Sequence, residues 1–263
     1  TTGAVYDYAK PTYDATTLAF GNLRTGATVA AQGITVNNLV VTAAAYQESL
    51  AVAATSANGK LSLAGLAGLE AGVTAGTVSV EAVTTTGGSL AGNVSLGFTS
   101  LAKANTGLTD TALTAGSVAV TGAVYDYATA GVTSQTLAFG NVHVGDTLGA
   151  QTLAVTNTLT AAAAAYQDSL SVTATAAAAG VTTSAISELT AGSSANLTFT
   201  GSSATAGSLA GAVTLGLTST NTVSGLDTRT LTTTATFGTT GAVYDYAKPT
   251  YDATTLAFGN LRT

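Results

Sequence analysis

Residues 151–158 read QTLAVTNT, with Leu153 and Val155 on one parity and Thr152, Ala154 and Thr156 on the other. A strand points successive side chains to opposite faces, so this alternation predicts a ribbon with one apolar face and one wetted face. The pattern continues outward. Leu197 and Phe199 alternate with Thr198 and Thr200, and Val213, Leu215 and Leu217 alternate with Thr214, Gly216 and Thr218. Val118, Val120 and Val124 share one parity before Tyr125 and Tyr127 take the other. β-Branched residues fill these runs, and Gly, Asn and Ser separate them. The run Ala161–Ala165 has helical propensity, but its neighbours, Thr on one side and Tyr-Gln-Asp-Ser on the other, predict an exposed connection.

The strands belong to a repeat. Thr1–Thr25, TTGAVYDYAKPTYDATTLAFGNLRT, recurs letter for letter as Thr239–Thr263, and a diverged copy, GAVYDYATAGVTSQTLAFGN, occupies Gly122–Asn141. Gly3, Gly122 and Gly241 stand 119 residues apart each time. Inside the unit, Ala45–Leu50 (AYQESL) answers Ala165–Leu170 (AYQDSL), and Gly88–Gly92 answers Gly207–Gly211. Such a period is too long for a solenoid rung and fits one sandwich of about seven strands. The predicted fold is therefore all-β, with tandem immunoglobulin-like β-sandwich domains, two complete and flanked by fragments. Residues 1–15 read as the end of a preceding repeat and its linker, 16–127 as a sandwich, and 128–134 as a linker. Residues 135–246 read as a second sandwich, and 247–263 as a linker with the first strand of a next repeat. The expected core includes Leu18, Phe20, Leu137, Phe139, Leu153, Val155, Leu197, Phe199, Val213, Leu215 and Leu217.

Charged residues make up 8% of the chain, against about 25% in ordinary soluble proteins, and the net charge is −6. With 46% apolar residues the chain is too hydrophobic for disorder. Seven Lys and Arg against thirteen acids argue against nucleic acid or an anionic membrane as partner. The absence of Cys excludes disulfides, thiolate zinc sites and C-x-x-C-H haem attachment. No stretch reads as a signal peptide or membrane span; the uncharged run from Leu189 to Leu226 is broken by Thr, Ser, Asn and Gly. The chain also lacks Met, so a processed chain or a window from a longer one is expected.

TLAFGNVHVGDT, QTLAVTNT, AYQDSLSVTAT, SGLDTRTL and TGAVYDY together resemble the choice-of-anchor D repeats of bacterial cell-surface proteins. More distantly they are similar to the ASPM-SPD-2-Hydin group of immunoglobulin-like domains, whose first strand reads F-G-x-V-x-V-G. Phe139-Gly140-Asn141-Val142 followed by Val144-Gly145 carries the match, and the first unit departs from it at Leu23–Gly26. The resemblance spans nearly the whole chain. It implies a sandwich used as a spacer in secreted or surface-anchored proteins, with no catalytic residues to carry over.

Candidate sites are few. His143 is the only histidine, and Arg24 stands in its place in the first unit. With no second His or Cys it reads as a solvated strand-edge residue, and no G-x-S-x-G elbow occurs, so no enzyme activity is expected. Asp7, Asp126 and Asp245 recur within Tyr-Asp-Tyr. Each joint offers too few carboxylates for calcium, and a hydrogen-bonded turn or exposed acid is the expected role. No cofactor and no metal are predicted. A Lys–Asn cross-link fails because the second unit has no lysine between Lys103 and Lys248. Tyr6, Tyr8, Tyr13, Tyr125, Tyr127, Tyr244, Tyr246 and Tyr251 gather at the joints, where an apolar ring with a polar tip suits a partly wet domain contact. Carbohydrate stacking and electron hopping are the alternatives for these rings. Asn93-Val-Ser and Asn196-Leu-Thr are glycosylation sequons.

Leu256 and Phe258 would form a first strand with no domain to pair with, held by the next stretch of one giant chain or by a neighbouring subunit through β-addition. The predicted role is a structural segment of an extracellular bacterial fibre or cell-surface filament, supplying length and self-association with copies of itself. The alternative is an adhesin stalk or binding array, with Gln47, Glu48, Gln167 and Asp168 as loop candidates for a sugar or protein.

Overall fold

The computed structural model describes residues 3–14, 16–223, 225–233, 235–252, 254–257, 259–260 and 262–263. The period-2 runs fold as two copies of one all-β unit. The first holds β1 (Pro11–Tyr13), β2 (Leu18–Arg24), β3 (Gln32–Asn38), β4 (Ser49–Thr55), β5 (Leu61–Ala64) and β6 (Leu66–Leu69). It continues with β7 (Gly76–Ala82), β8 (Gly88–Ser89), β9 (Gly92–Leu101), β10 (Thr111–Ala112) and β11 (Gly116–Tyr125). The second repeats the order with β12 (Ala130–Val132), β13 (Gln135–His143), β14 (Gln151–Asn157), β15 (Ser169–Ala176), β16 (Val181–Thr183) and β17 (Ile186–Leu189). It closes with β18 (Ser194–Gly201), β19 (Gly207–Ser208), β20 (Gly211–Thr220), β21 (Arg229–Leu231) and β22 (Phe237–Tyr244).

In the first unit, β1-β3-β7-β5 form one sheet, and β2-β11-β9-β4-β6 form the other with β8 and β10 as short additions. The second unit repeats both orders strand for strand. The opening strand is split between the sheets: β1 pairs antiparallel with β3, while β2 pairs parallel with the last strand, β11. That arrangement is an immunoglobulin-like sandwich. The parallel pair contains a bulge with a sequence cause. Gly21 and its counterpart Gly140 have φ of +69° and +78°, and a β-carbon on Gly241 would stand 2.4 Å from the Gly140 carbonyl oxygen. The repeated F-G-N and T-G-A-V-Y motifs are thus the two sides of one close backbone crossing.

Inward parity fills the cores as the alternation requires. Leu153, Val155, Leu197 and Phe199 are fully buried, as are Ile34, Val36 and Leu50 in the first unit. Leu18, Phe20, Leu137, Phe139, Val213 and Leu217 are buried too, and Leu215 is half-buried against the same cluster. The Ala-rich runs give one short 3-10 turn per unit, Ala44–Tyr46 and Ala164–Tyr166.

Two expectations change. Residues 128–134, read as a linker, contain β12, which pairs with β14 across Ala130–Val132; β1 does the same within residues 1–15. A three-residue edge strand, with Pro11 at its first position, leaves too little alternation to stand out from a turn. Leu256 is exposed and lies outside any strand, and Phe258 falls outside the described residues. Phe199 is the largest fully buried side chain among the described residues, so Phe199→Ala is expected to cost about 3–5 kcal/mol in denaturant unfolding. A loss under about 1 kcal/mol would contradict the core assignment.

Candidate functional site, the interdomain joint

The last strand of the first sandwich runs straight into the second. Past Tyr125, the Asp126 N–H donates to the Tyr166 carbonyl (2.9 Å), and the Asp168 N–H donates to the Asp126 carbonyl (3.0 Å). Asp126 thereby forms a parallel bridge with Gln167 immediately after β11 ends. Two residues on, the Ala128 N–H donates to Ser219 Oγ at 2.9 Å. No free linker residue separates the two sheets' hydrogen bonding.

The seat for this strand is a buried polar cluster. Asn157 Nδ2 donates to the carbonyls of Asp168 and Leu189, and its Oδ1 accepts from the Thr129 N–H and from Gln167 Nε2. Gln167 Oε1 accepts the Thr160 N–H at 2.7 Å. Asp168 Oδ2 accepts the Ser219 hydroxyl at 2.7 Å. These polar groups are buried and fully paired, which is the condition for a polar cluster to fix one geometry. Asn38, Gln47, Glu48 and Ser100 build the same seat in the first sandwich. Gln47, Glu48, Gln167 and Asp168, read from sequence as loop residues open to a ligand, are therefore buried and committed to the fold. Their alternation through a short polar segment gave no sign that the loop folds inward.

Two side chains from the first sandwich close the joint. The Asp126 carboxylate, itself buried, accepts the Gly87 N–H (2.8 Å) and the Thr25 hydroxyl from the first unit, and the Thr160 hydroxyl (3.0 Å) from the second. Gly87 returns the contact through its carbonyl, which accepts the Ala162 N–H at 3.0 Å. A β-carbon on Gly87 would stand 2.5 Å from the Tyr166 carbonyl oxygen, so only glycine fits there.

Arg24, at the end of β2, reaches across to Asp168, with Nη1 2.8 Å from Oδ1. The side chains are 11% and 0% exposed, so the acid is fully buried and the arginine partly so. Arg24 Nε also pairs with the exposed Asp227 at 3.2 Å, and the guanidinium sits 4.3 Å from the Tyr127 ring centre. Arg229 lies over the same ring at 4.9 Å, and the Tyr127 hydroxyl donates to the Asp227 carboxylate. Burial works against the charge of Arg24, but hydrogen bonding and attraction to Asp168 outweigh it and raise its pKa. Burial, then the bond to Asp227, raises that of Tyr127. The Asp227 carboxyl is held below its usual range, chiefly by a bond from its own backbone N–H and, against the effect of burial, by Arg24.

The other residues expected at joints divide by position. Tyr125 packs on Tyr166 at 5.9 Å, and Tyr6 packs on Tyr46 at the same distance at the entry face of the first sandwich. Asp7 bridges Gln47 there as Asp126 bridges Gln167. Tyr8 is exposed at that face. Tyr13 belongs to the first sandwich instead, with its ring 5.8 Å from Phe98 and its oxygen accepting the Ser117 N–H. At the exit face of the second sandwich, Tyr246 lies flat on His143, 4.5 Å between ring centres. His143 is half exposed at the end of β13, with its N–H bonded to Asp146. Tyr244, Asp245 and Tyr251 are exposed. Among the described residues, no three His, Cys, Asp or Glu side chains gather as metal ligands would. Thr25, Gly87, Thr160 and Asp227 carry no sequence signal for the joint, and Arg24 stands out only as the counterpart of His143, although an arginine in so uncharged a chain is a usable signal.

No protein-family model matches the chain, and no curated protein matches it. Among solved structures it is similar to a protein of unknown function from Porphyromonas gingivalis W83, at 13% identity over 88% of this chain and 99% of that one, with a TM-score of 0.35. The D0-D1 domain of Intimin is similar at 18% identity over 91% and 99%, with a TM-score of 0.24. CfaE, the adhesive subunit of CFA/I fimbria of enterotoxigenic Escherichia coli, is similar at 10% identity over 94% and 90%, with a TM-score of 0.34.

Removing one partner of a buried ion pair leaves the other charge uncompensated, at roughly 3–5 kcal/mol. Asp168 would keep Ser219 and Asn221, so Arg24→Ala is expected near the lower end, about 3 kcal/mol by urea unfolding. Gly87→Ala should lower the joint's stability without removing any charge. If both variants unfold like the parent chain, the joint is not closed as described.

Proposed function

We propose that the chain is a non-catalytic structural segment of an extracellular bacterial fibre or cell-surface filament, supplying length and self-association. The observation that carries this reading is the joint. A spacer array needs each sandwich fixed on the next, and here the connecting segment is hydrogen-bonded to both sandwiches while an ion pair with a buried acid locks the faces. Gly/Ser linkers would behave as random coils and let the units swing. The chain's thin charge suits packing against copies of itself better than steering a charged partner.

Electron micrographs of the purified chain are the test. Rods of constant interdomain angle, joined end to end, are expected. Freely bent particles that remain single and are retained on a glycan array would instead favour the adhesin reading.

A further inference from the structure

A cavity of about 380 Å³ lies beside the joint, between Tyr125 at the end of the first sandwich and the 3-10 turn, β17 and the loop after β20 of the second. Its floor is fixed. Gln167 and Asp168 are buried, and Asn221 donates through Nδ2 to Asp168 Oδ1 while its own Oδ1 accepts the Val223 N–H. Its rim is uncommitted. Among the described residues, the hydroxyls of Tyr125, Ser169 and Thr222 and the Glu188 carboxylate line the cavity without a hydrogen bond to the protein. A rigid concave floor at a domain boundary, ringed by a few free polar groups, is the usual form of a small-molecule site.

Glu188 sets this rim apart. It stands at a bulge in β17 with φ of +53°, in the left-handed region that a glutamate adopts only at a cost. Leu69 pairs with Leu50 as Leu189 pairs with Leu170, so the position of Glu188 is held by Gly68 in the first sandwich. The second sandwich thus carries a charged side chain where glycine would relieve the backbone, and that side chain gives the fold no bond in return. Its carboxylate is also the unmatched charge on the cavity wall, because Asp168 is paired with Arg24.

The wall chemistry selects a ligand class. No Lys, Arg or His lines the cavity, so an anion would find no counter-charge there. Hydroxyls that both donate and accept, a carboxylate that accepts from neighbouring O–H groups, and a tyrosine ring for an apolar C–H face together suit a neutral sugar. We propose that this cavity binds a neutral saccharide of one or two rings, with Glu188 and Thr222 taking its hydroxyls beside the Tyr125 ring. Tyr125 comes from one sandwich and the other groups from the next, so the site exists only where the joint is closed. Sugar binding here is independent of end-to-end assembly.

Saturation-transfer NMR on the full 263-residue chain tests this, using the methyl glycosides of glucose, galactose, mannose and N-acetylglucosamine, the disaccharides lactose and maltose, and free lysine as a cationic control. At least one neutral sugar is expected to bind, and lysine is not. Glu188→Gly should weaken that binding by roughly tenfold or more, as loss of a charged hydrogen-bond partner does. Its thermal midpoint should stay at or above the parent's, because glycine relieves the backbone. Thr222→Ala, at an exposed position, should weaken binding with the midpoint unchanged. Silence from every sugar, or binding that survives Glu188→Gly at the parent's strength, would overturn the site. A Glu188→Gly midpoint below the parent's would show that Glu188 serves the fold and overturn its assignment to a ligand. Binding of lysine in preference to the sugars would overturn the ligand class.

Discussion

The arrangement of the two sandwiches depends on one buried ion pair in a chain that has few charges to place. Only 8% of residues are charged, yet Arg24 and Asp168 meet where the acid is fully buried and the arginine partly so. A buried pair is weak evidence of added stability, because desolvating both ions can cost as much as their attraction returns. Its effect is geometric. An unpaired Asp168 in that position would be costly, so the first sandwich is confined to orientations that bring Arg24 to it. Asp126 adds a second constraint of the same type, because one carboxylate takes hydrogen bonds from both units.

The pair works only because the backbone has brought the faces close. The segment from Tyr125 to Ala128 passes from the last strand of the first sandwich, through the Asp126–Gln167 bridge, to Ser219 of the second, and Gly87 allows the first unit's loop to lie against the Tyr166 carbonyl. The repeat then explains why the residues of the joint look like residues of a strand. Tyr-Asp-Tyr ends one sandwich and begins the next, so its alternation continues unbroken where a linker would interrupt it.

The all-β sandwich and its core were legible because alternation is a local signal. Phe199 and Leu153 could be placed inward from their immediate neighbours alone. The doubled ends of the repeat likewise pointed to Asp126 and the paired tyrosines. What stayed hidden was long-range. Nothing near Arg24 in the sequence indicates Asp168, 144 positions away, and Gln47 and Gln167 look like loop residues until the loop is seen folded onto Asn38 and Asn157. Tyr13 was assigned to the joint by proximity to Tyr8, whereas its contact with Phe98 depends on the strand β1 that its short segment concealed.

The joint holds the two sandwiches at one angle. Because the chain has no cysteine, Ser95→Cys with Thr214→Cys would introduce a single labelling pair on exposed strand positions, one in each sandwich. Pulsed electron paramagnetic resonance between spin labels at these positions reads the interdomain distance directly. One narrow distribution, broadened when Arg24 is replaced by Ala, is the predicted result; a distribution already broad in the parent chain would contradict the account.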